Sequence, residues 1–256
     1  MTDLVLTSTE RGITTITLND DANRNALGPD LIEGLMDAID RADADPGVRA
    51  VVLTNNGSVF CAGANLKTAN AGRAGAPTGL DLFSRFRRSP KPFVGRIDGH
   101  CVAGGMGLAA AMDIAVAIDT AKFGFTEVRI GVAPAMISVL CLPKMRPADA
   151  AAAFLRGNRF LAPEAVRLGL INEAVPPEAL DDAVGAIVDD LRLAGPNALA
   201  ATKSLLTTVP GMSVDEAFAW TAELSAGLFR EPEAAEGMAA FREKRPPSWA
   251  TDLDDA

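Results

Sequence analysis

Two stretches, VFCAGANLK from Val59 to Lys67 and GHCVAGGMGL from Gly99 to Leu108, decide how this chain is to be read. Each sets glycine and other small residues where an apolar strand is predicted to run into a helix, which leaves backbone N–H groups exposed at the turn. Ala64 in the first and Gly104 in the second can then offer an N–H to a common point. That is the arrangement needed to hold an oxygen that gains negative charge during a reaction. Either turn taken alone is better explained by packing, because a lone turn of small residues is a weak signal.

Outward from these turns, branched residues mark strands at Leu4–Leu6, Ile13–Leu18, Ala50–Thr54, Phe93–Asp98 and Ile114–Ile118. Helical stretches separate them. One begins near Pro29, a favourable first-turn residue, carries Leu31, Leu35, Ala38, Ile39 and Ala42 on one face, and ends before Asp45-Pro46-Gly47. Strands alternating with helices predict an α/β core rather than a bundle. After Pro176 the pattern turns helical, with helices expected at Pro177–Leu193, Asn197–Val209, Ser213–Phe229 and Pro232–Lys244. The expected division is a core over 1–193 and a helical region over 194–256, with no low-complexity linker between them.

With 256 residues, 48% of them apolar, the chain is long enough for one large core with a helical appendage. It has no run of about eighteen apolar residues, and MTDLVLTSTERG lacks a basic region followed by an apolar stretch. Neither a membrane span nor a signal peptide is therefore expected, and the cytoplasm is the default compartment. The net charge of −9 argues against nonspecific nucleic-acid binding. Cys61, Cys101 and Cys141 stand far apart in apolar surroundings, as packed thiols rather than disulfide partners or metal ligands. His100 is the sole histidine, so no His-based metal cluster forms, and it is read as a packing or hydrogen-bonding residue. The cluster Arg85, Arg87, Arg88 and Lys91 is either a solvated helix end or a phosphate contact.

Proton transfer needs a side chain, and the candidate is Glu127 in FTEVRIG. A carboxylate between Phe125 and Val128 at a strand end is open to partial desolvation, which raises its pKa toward a value useful for acid–base work. An ion pair with nearby Arg129 is the competing reading.

NRNALGPDLIEGL (Asn23–Leu35), AVVLTNNGSVFCAGANLK (Ala50–Lys67), KPFVGRIDGHCVAGGMGLAAAMDIAVA (Lys91–Ala117) and AKFGFTEVRIGVAPA (Ala121–Ala135) together resemble the enoyl-CoA hydratase/isomerase (crotonase) superfamily in order and spacing. The resemblance covers roughly residues 5 to 175. It implies a ClpP-like α/β fold of repeated ββα units, followed by a C-terminal helical region that builds a trimer or a hexamer of paired trimers. Phe218, Thr221, Leu224, Ser225 and Leu228 form a stripe compatible with that interface or with internal packing. The implied substrate is an acyl-CoA thioester, with coenzyme A arriving as part of it, no covalently bound cofactor and no metal. Ala64 and Gly104 become the oxyanion donors and Glu127 the catalytic acid–base. Arg24, Ala26, Lys67, Phe241 and Lys244 fall on the expected path of the CoA moiety, Lys244 paired with Arg245; surface solubility is the competing reading of the basic residues, and anchoring of the last helix that of Phe241.

This sequence departs from the pattern at two places. Gly107 stands where hydratases carry a second glutamate, and Asn65 replaces an aspartate that usually follows the oxyanion residue, an exchange expected to alter a helix start. Without the second carboxylate, three readings remain open. Glu127 alone moves a proton between the ends of a double bond, or it hydrates a 2-enoyl thioester with water positioned by other groups, or the fold binds thioesters without catalysis. GGMGLAAAMDIA and TEVRIGVAPAMIS resemble bacterial methylglutaconyl-CoA hydratases, which keeps hydration in front. Gly107→Glu is expected either to raise hydration, if a second acid is limiting, or to clash with its surroundings. The acyl pocket is expected between Lys67 and Arg88, with a loop through Ala69, Ala71, Gly72, Ala74 and Gly75.

Overall fold

Every residue of Ala50–Asn55 is buried, so this strand has helices on both faces, as parallel sheets require. In the computed structural model, which describes residues 3–68 and 75–251, it is β3. A six-stranded sheet runs in the order β1-β2-β3-β5-β7-β10, with β1 Val5–Glu10, β2 Ile13–Leu18, β5 Phe93–Ile97, β7 Ile114–Ile118 and β10 Glu173–Val175. Only β1 is antiparallel to its neighbour; the other pairings are parallel. A second sheet in the order β4-β6-β8-β9 consists of very short strands: β4 Val59–Cys61, β6 His100–Val102, β8 Lys122–Gly124 and β9 Phe160–Leu161.

Helix α1, Pro29–Ala44, buries the predicted face Leu31, Leu35, Ala38, Ile39 and Ala42, with Ile32 added. It joins α2, Gly79–Arg88, whose Leu82, Phe83 and Phe86 are buried, and the wholly apolar α3, Gly104–Ala111, in the main core between the sheets. α4 (Ala135–Cys141), α5 (Pro147–Arg156) and α6 (Ala162–Arg167) follow. The other face of the six-stranded sheet is covered by α7, Leu180–Leu193, through Leu180 and Val184 against Val52, Val94, Val116 and Val175. The chain ends in α8 Pro196–Thr208, α9 Val214–Leu228, α10 Pro232–Glu243 and a last turn at Ser248–Thr251. The expected α/β core and helical C-terminal region are present, with boundaries shifted by a few residues.

α8 is held to the core by Lys203, 6% exposed, whose Nζ pairs with Asp113 (2.8 Å), donates to the Lys91 carbonyl (2.8 Å) and lies over the Phe93 ring. The basic cluster around it is largely committed to holding helices together. Arg85 pairs with Asp40 (2.6 Å) and Asp43 (3.1 Å) of α1, Arg87 donates to the Thr207 carbonyl (2.7 Å), and Lys91 donates to the Asp45 carbonyl. All three cysteines are free and buried, and burial pushes the Cys61 and Cys141 thiols up to about 12. Among the described residues no helix is long and apolar enough to cross a membrane.

Candidate active site

Three parallel strands of the small sheet end at one level, and each delivers one candidate group just past its carboxyl end, where α/β folds bind ligands. β4 ends at Cys61 and reaches Ala64, β6 ends at Val102 and reaches Gly104, and β8 ends at Gly124 and reaches Glu127. The register Cys101↔Phe123 and Val102↔Gly124, extended by an Ala103 N–H donating to the Gly124 carbonyl (2.9 Å), fixes the last two relative to each other. Ala64, Gly104 and Glu127 all line one cavity of about 1000 Å³. Leu27, Leu66, Phe83, Ile130, Met136 and Ile137 supply much of its apolar wall.

Ala64 lies in an extended bridge, not before a helix. Leu27 N donates to the Gly63 carbonyl (2.7 Å) and Asn65 N to the Leu27 carbonyl (3.1 Å). In such a parallel bridge the residue between the two bonded neighbours turns its own N–H away, and Ala64 N has no hydrogen-bond partner among the described residues. This corrects the expectation that VFCAGANLK runs into a helix and that Asn65 starts it. Pairing with residues 24–27 keeps the segment extended, after which Asn65 Oδ1 accepts from Lys67 N (3.1 Å) in a turn. Gly104 N is likewise unpartnered among the described residues, as the first N–H of α3. The two turns touch. Gly63 has φ +93°, and a Cβ built on it would lie 2.7 Å from Ala103 Cβ and 2.8 Å from Gly104 N. The place of a Gly104 Cβ is 3.4 Å from Ala64 N, so the two donors are close neighbours.

Glu127 sits in a 3-10 turn, Thr126–Ile130, behind the buried Phe125, whose ring stacks on Phe154 of α5 at 4.0 Å between centroids. Its Oε2 is buried with no hydrogen-bond partner, and no ion pair reaches it among the described residues. Arg129 does not pair with it; the guanidinium donates to the Arg156 carbonyl through Nε (3.2 Å) and Nη2 (2.9 Å). Desolvation raises the Glu127 pKa, only partly offset by its own backbone N–H.

The place of the second carboxylate is closed. A Cβ on Gly107 would lie 2.5 Å from Ile137 Cγ2 and 2.8 Å from Phe83 Cζ, and Phe83 and Ile137, unlike Gly107, line the cavity. Of the two outcomes expected for Gly107→Glu, the geometry favours the clash: side chains that wall the pocket fill the space. His100 is outside the cavity lining, its Nδ1 accepting from Lys122 N (3.1 Å), with its pKa lowered by burial and by the charges of Lys122 and Arg159.

None of Arg24, Ala26, Lys67, Phe241 and Lys244 lines the cavity. Arg24 and Lys67 lie exposed on the loops beside Ala64, Lys67 Nζ donating to Asn23 Oδ1 (3.3 Å). Ala26 is buried and its carbonyl accepts from Gly28 N (2.9 Å). Phe241 is 87% exposed near the end of α10, and Lys244 caps that helix at φ 54°. Arg245 is spent on Glu236 (2.7 Å) and Glu243 (2.7 Å). Of the acyl-pocket loop, Ala69, Ala71, Gly72 and Ala74 lie outside the described residues. Gly79 and Phe83, which line the cavity, fall within the stretch from Lys67 to Arg88 where the acyl pocket was expected; Ile137 was not foreseen as a wall, and the glycine at position 107 was the available signal.

Residues 8–252 match the family model described as enoyl-CoA hydratase/isomerase. The chain belongs to that family, the crotonase superfamily, whose members act on CoA thioesters. It is similar to the enoyl-CoA hydratase EchA19 of Mycobacterium tuberculosis, 34% identical over 91% of this chain and 91% of that protein. It also resembles the (E)-benzylidenesuccinyl-CoA hydratase of Thauera aromatica, at 30% identity over 91% of this chain and 94% of the relative. Among solved structures it matches the enoyl-CoA hydratase EchA1 of Mycobacterium marinum with a TM-score of 0.89 and 35% identity, covering 97% of this chain and 99% of that one.

Two stability outcomes follow from this family member's site. Gly107→Glu should lower stability by about 3 kcal/mol in chemical denaturation, from overpacking and from a carboxylate forced among apolar groups, and should not speed hydration. Glu127 has a folded pKa above its unfolded value of about 4.3, so its stabilising contribution is present below that pH and is lost as pH rises through the folded pKa. Glu127→Gln should therefore gain in Tm relative to the parent protein as pH is raised from 4 to 7.

Proposed function

We propose that this crotonase-superfamily enzyme hydrates a 2-enoyl-CoA using Glu127 as its only side-chain acid–base. The observation that carries the reading is Glu127 itself: desolvated, unpaired among the described residues, and lining the same cavity as the unpartnered N–H groups of Ala64 and Gly104. Water adds its oxygen to C3 of the enoyl group while one of its protons passes to the Glu127 carboxylate. The displaced π electrons move onto the thioester oxygen, held by the two N–H groups, each donor worth about 3–4 kcal/mol in the transition state. Glu127 then returns the proton to C2, restoring the thioester carbonyl and its own carboxylate. A raised pKa suits a group that both takes and gives a proton near neutral pH.

Isomerisation is the second reading, favoured by the apolar wall that Phe83 and Ile137 build where a second water-holding carboxylate would stand. There Glu127 takes a proton from C2 of a 3-enoyl thioester and returns it to C4. The loops carrying Arg24, Ala26 and Lys67 flank Ala64 and are proposed to hold the CoA moiety, with Phe241 and Lys244 reaching phosphate or adenine. A homotrimer, or a pair of trimers, is proposed from α9, a 15-residue helix with no buried residue and with Phe218 71% exposed.

Purified protein in deuterated water, given matched 2-enoyl- and 3-enoyl-CoA thioesters, separates the readings by product mass. Hydration gives a product heavier by one water with deuterium at C2, whereas migration of the double bond adds no water. Glu127→Gln should lower either turnover by at least about 100-fold while thioester affinity stays close to that of the parent. Equal turnover in the variant would remove Glu127 from the mechanism. Light scattering should give three or six times the chain mass, and Phe218→Asp should reduce it.

A further inference from the structure

The cavity lining leaves out one polar side chain that the architecture of the site depends on. Asn25 is 0% exposed and does not reach the cavity. It follows Arg24, and both residues have positive φ, 56° and 51°, a conformation that asparagine tolerates better than most residues with a Cβ. Its carboxamide is fully engaged. Oδ1 accepts from Asp20 N (2.7 Å), and Nδ2 donates to the carbonyls of Asn56 (3.1 Å) and Val59 (2.7 Å). The group thus ties the loop before α1 to both sides of the β3–β4 turn. Three backbone bonds continue from it: Ala62 N to the Arg24 carbonyl (3.1 Å), Leu27 N to the Gly63 carbonyl (2.7 Å), and Asn65 N to the Leu27 carbonyl (3.1 Å).

We infer that Asn25 is a positioning residue for the oxyanion hole, fixing residues 24–27 against 62–65 and thereby the direction of the Ala64 N–H. The inference rests on the reading of Ala64 and Gly104 as the oxyanion donors. The chemistry of the cluster selects asparagine. Aspartate lacks the two donors and would face two carbonyl oxygens, and serine or alanine would leave buried carbonyls without a partner. A slip of this ladder turns the Ala64 N–H away from the point it shares with Gly104. Misplacement of a catalytic group by about 1 Å is enough to cost on the order of 100-fold in rate.

The test reads the polarisation of a bound thioester carbonyl directly. Cinnamoyl-CoA, a conjugated thioester and itself a 2-enoyl-CoA, absorbs at longer wavelength when its carbonyl accepts strong hydrogen bonds; the spectrum is taken on rapid mixing, before hydration breaks the conjugation, and only the bound, folded fraction contributes to the shift. Full-length parent protein should red-shift the bound chromophore. Asn25→Asp and Asn25→Ser should bind it but lose at least half of the shift, with kcat on an active enoyl-CoA down about 10- to 100-fold and KM changed by less than about threefold. Ala62→Pro, which removes the donor to the Arg24 carbonyl and leaves the Asn25 cluster intact, should lose shift by a second route and keeps the test open if the Asn25 variants fold poorly. Lys203→Met, which breaks the buried pair with Asp113 far along the chain, should lower Tm and keep the full shift. Retention of the full shift and kcat in the Asn25 and Ala62 variants would overturn the inference, as would loss of shift in Lys203→Met in step with its Tm. A parent protein that binds cinnamoyl-CoA with no red shift would instead overturn the reading of Ala64 and Gly104 on which it rests.

Discussion

The contact between Gly63 and the first turn of α3 is the constraint to which the rest of the site is fitted. Two backbone turns from different strands approach so closely that a single added carbon would strike Gly104 N at 2.8 Å. That approach brings together, along an apolar cavity, two N–H groups with no partner among the described residues; in such surroundings a hydrogen bond to charge is worth more than in water. The parallel register of β4, β6 and β8 then sets the third group, Glu127, against the same cavity. The large six-stranded sheet contributes no residue of this constellation.

Much of the large sheet was legible in the sequence. β2, β3, β5 and β7 carry the branched residues that mark strands, and α1 carries a continuous apolar face. The small sheet was not, because VFC, HCV and KFG are too short to show any period. The sequence also places Ala64 before a helix, whereas pairing with the distant residues 24–27 keeps it extended. Such long-range pairing leaves no local signature. Glu127 was legible as a candidate carboxylate, yet its separation from Arg129 depends on the Arg156 carbonyl, which captures that guanidinium.

Gly107 illustrates how an apparently missing group is a matter of packing. The absent side chain makes room for Phe83 and Ile137, which supply hydrocarbon wall to the cavity that Ala64, Gly104 and Glu127 also line. Burial desolvates the Glu127 carboxylate, and the same burial that costs folding energy raises its pKa.

Ala103 shows the same economy of space from the opposite side. Its φ of 50° is one that glycine would adopt without strain, yet the position carries a methyl group, and that methyl lies where a side chain on Gly63 would have to go. The two loops therefore share room for one methyl between them. Positions 63 and 103 are coupled in this chain: a side chain gained at the first needs the methyl lost at the second, along with a shift of the Gly104 amide.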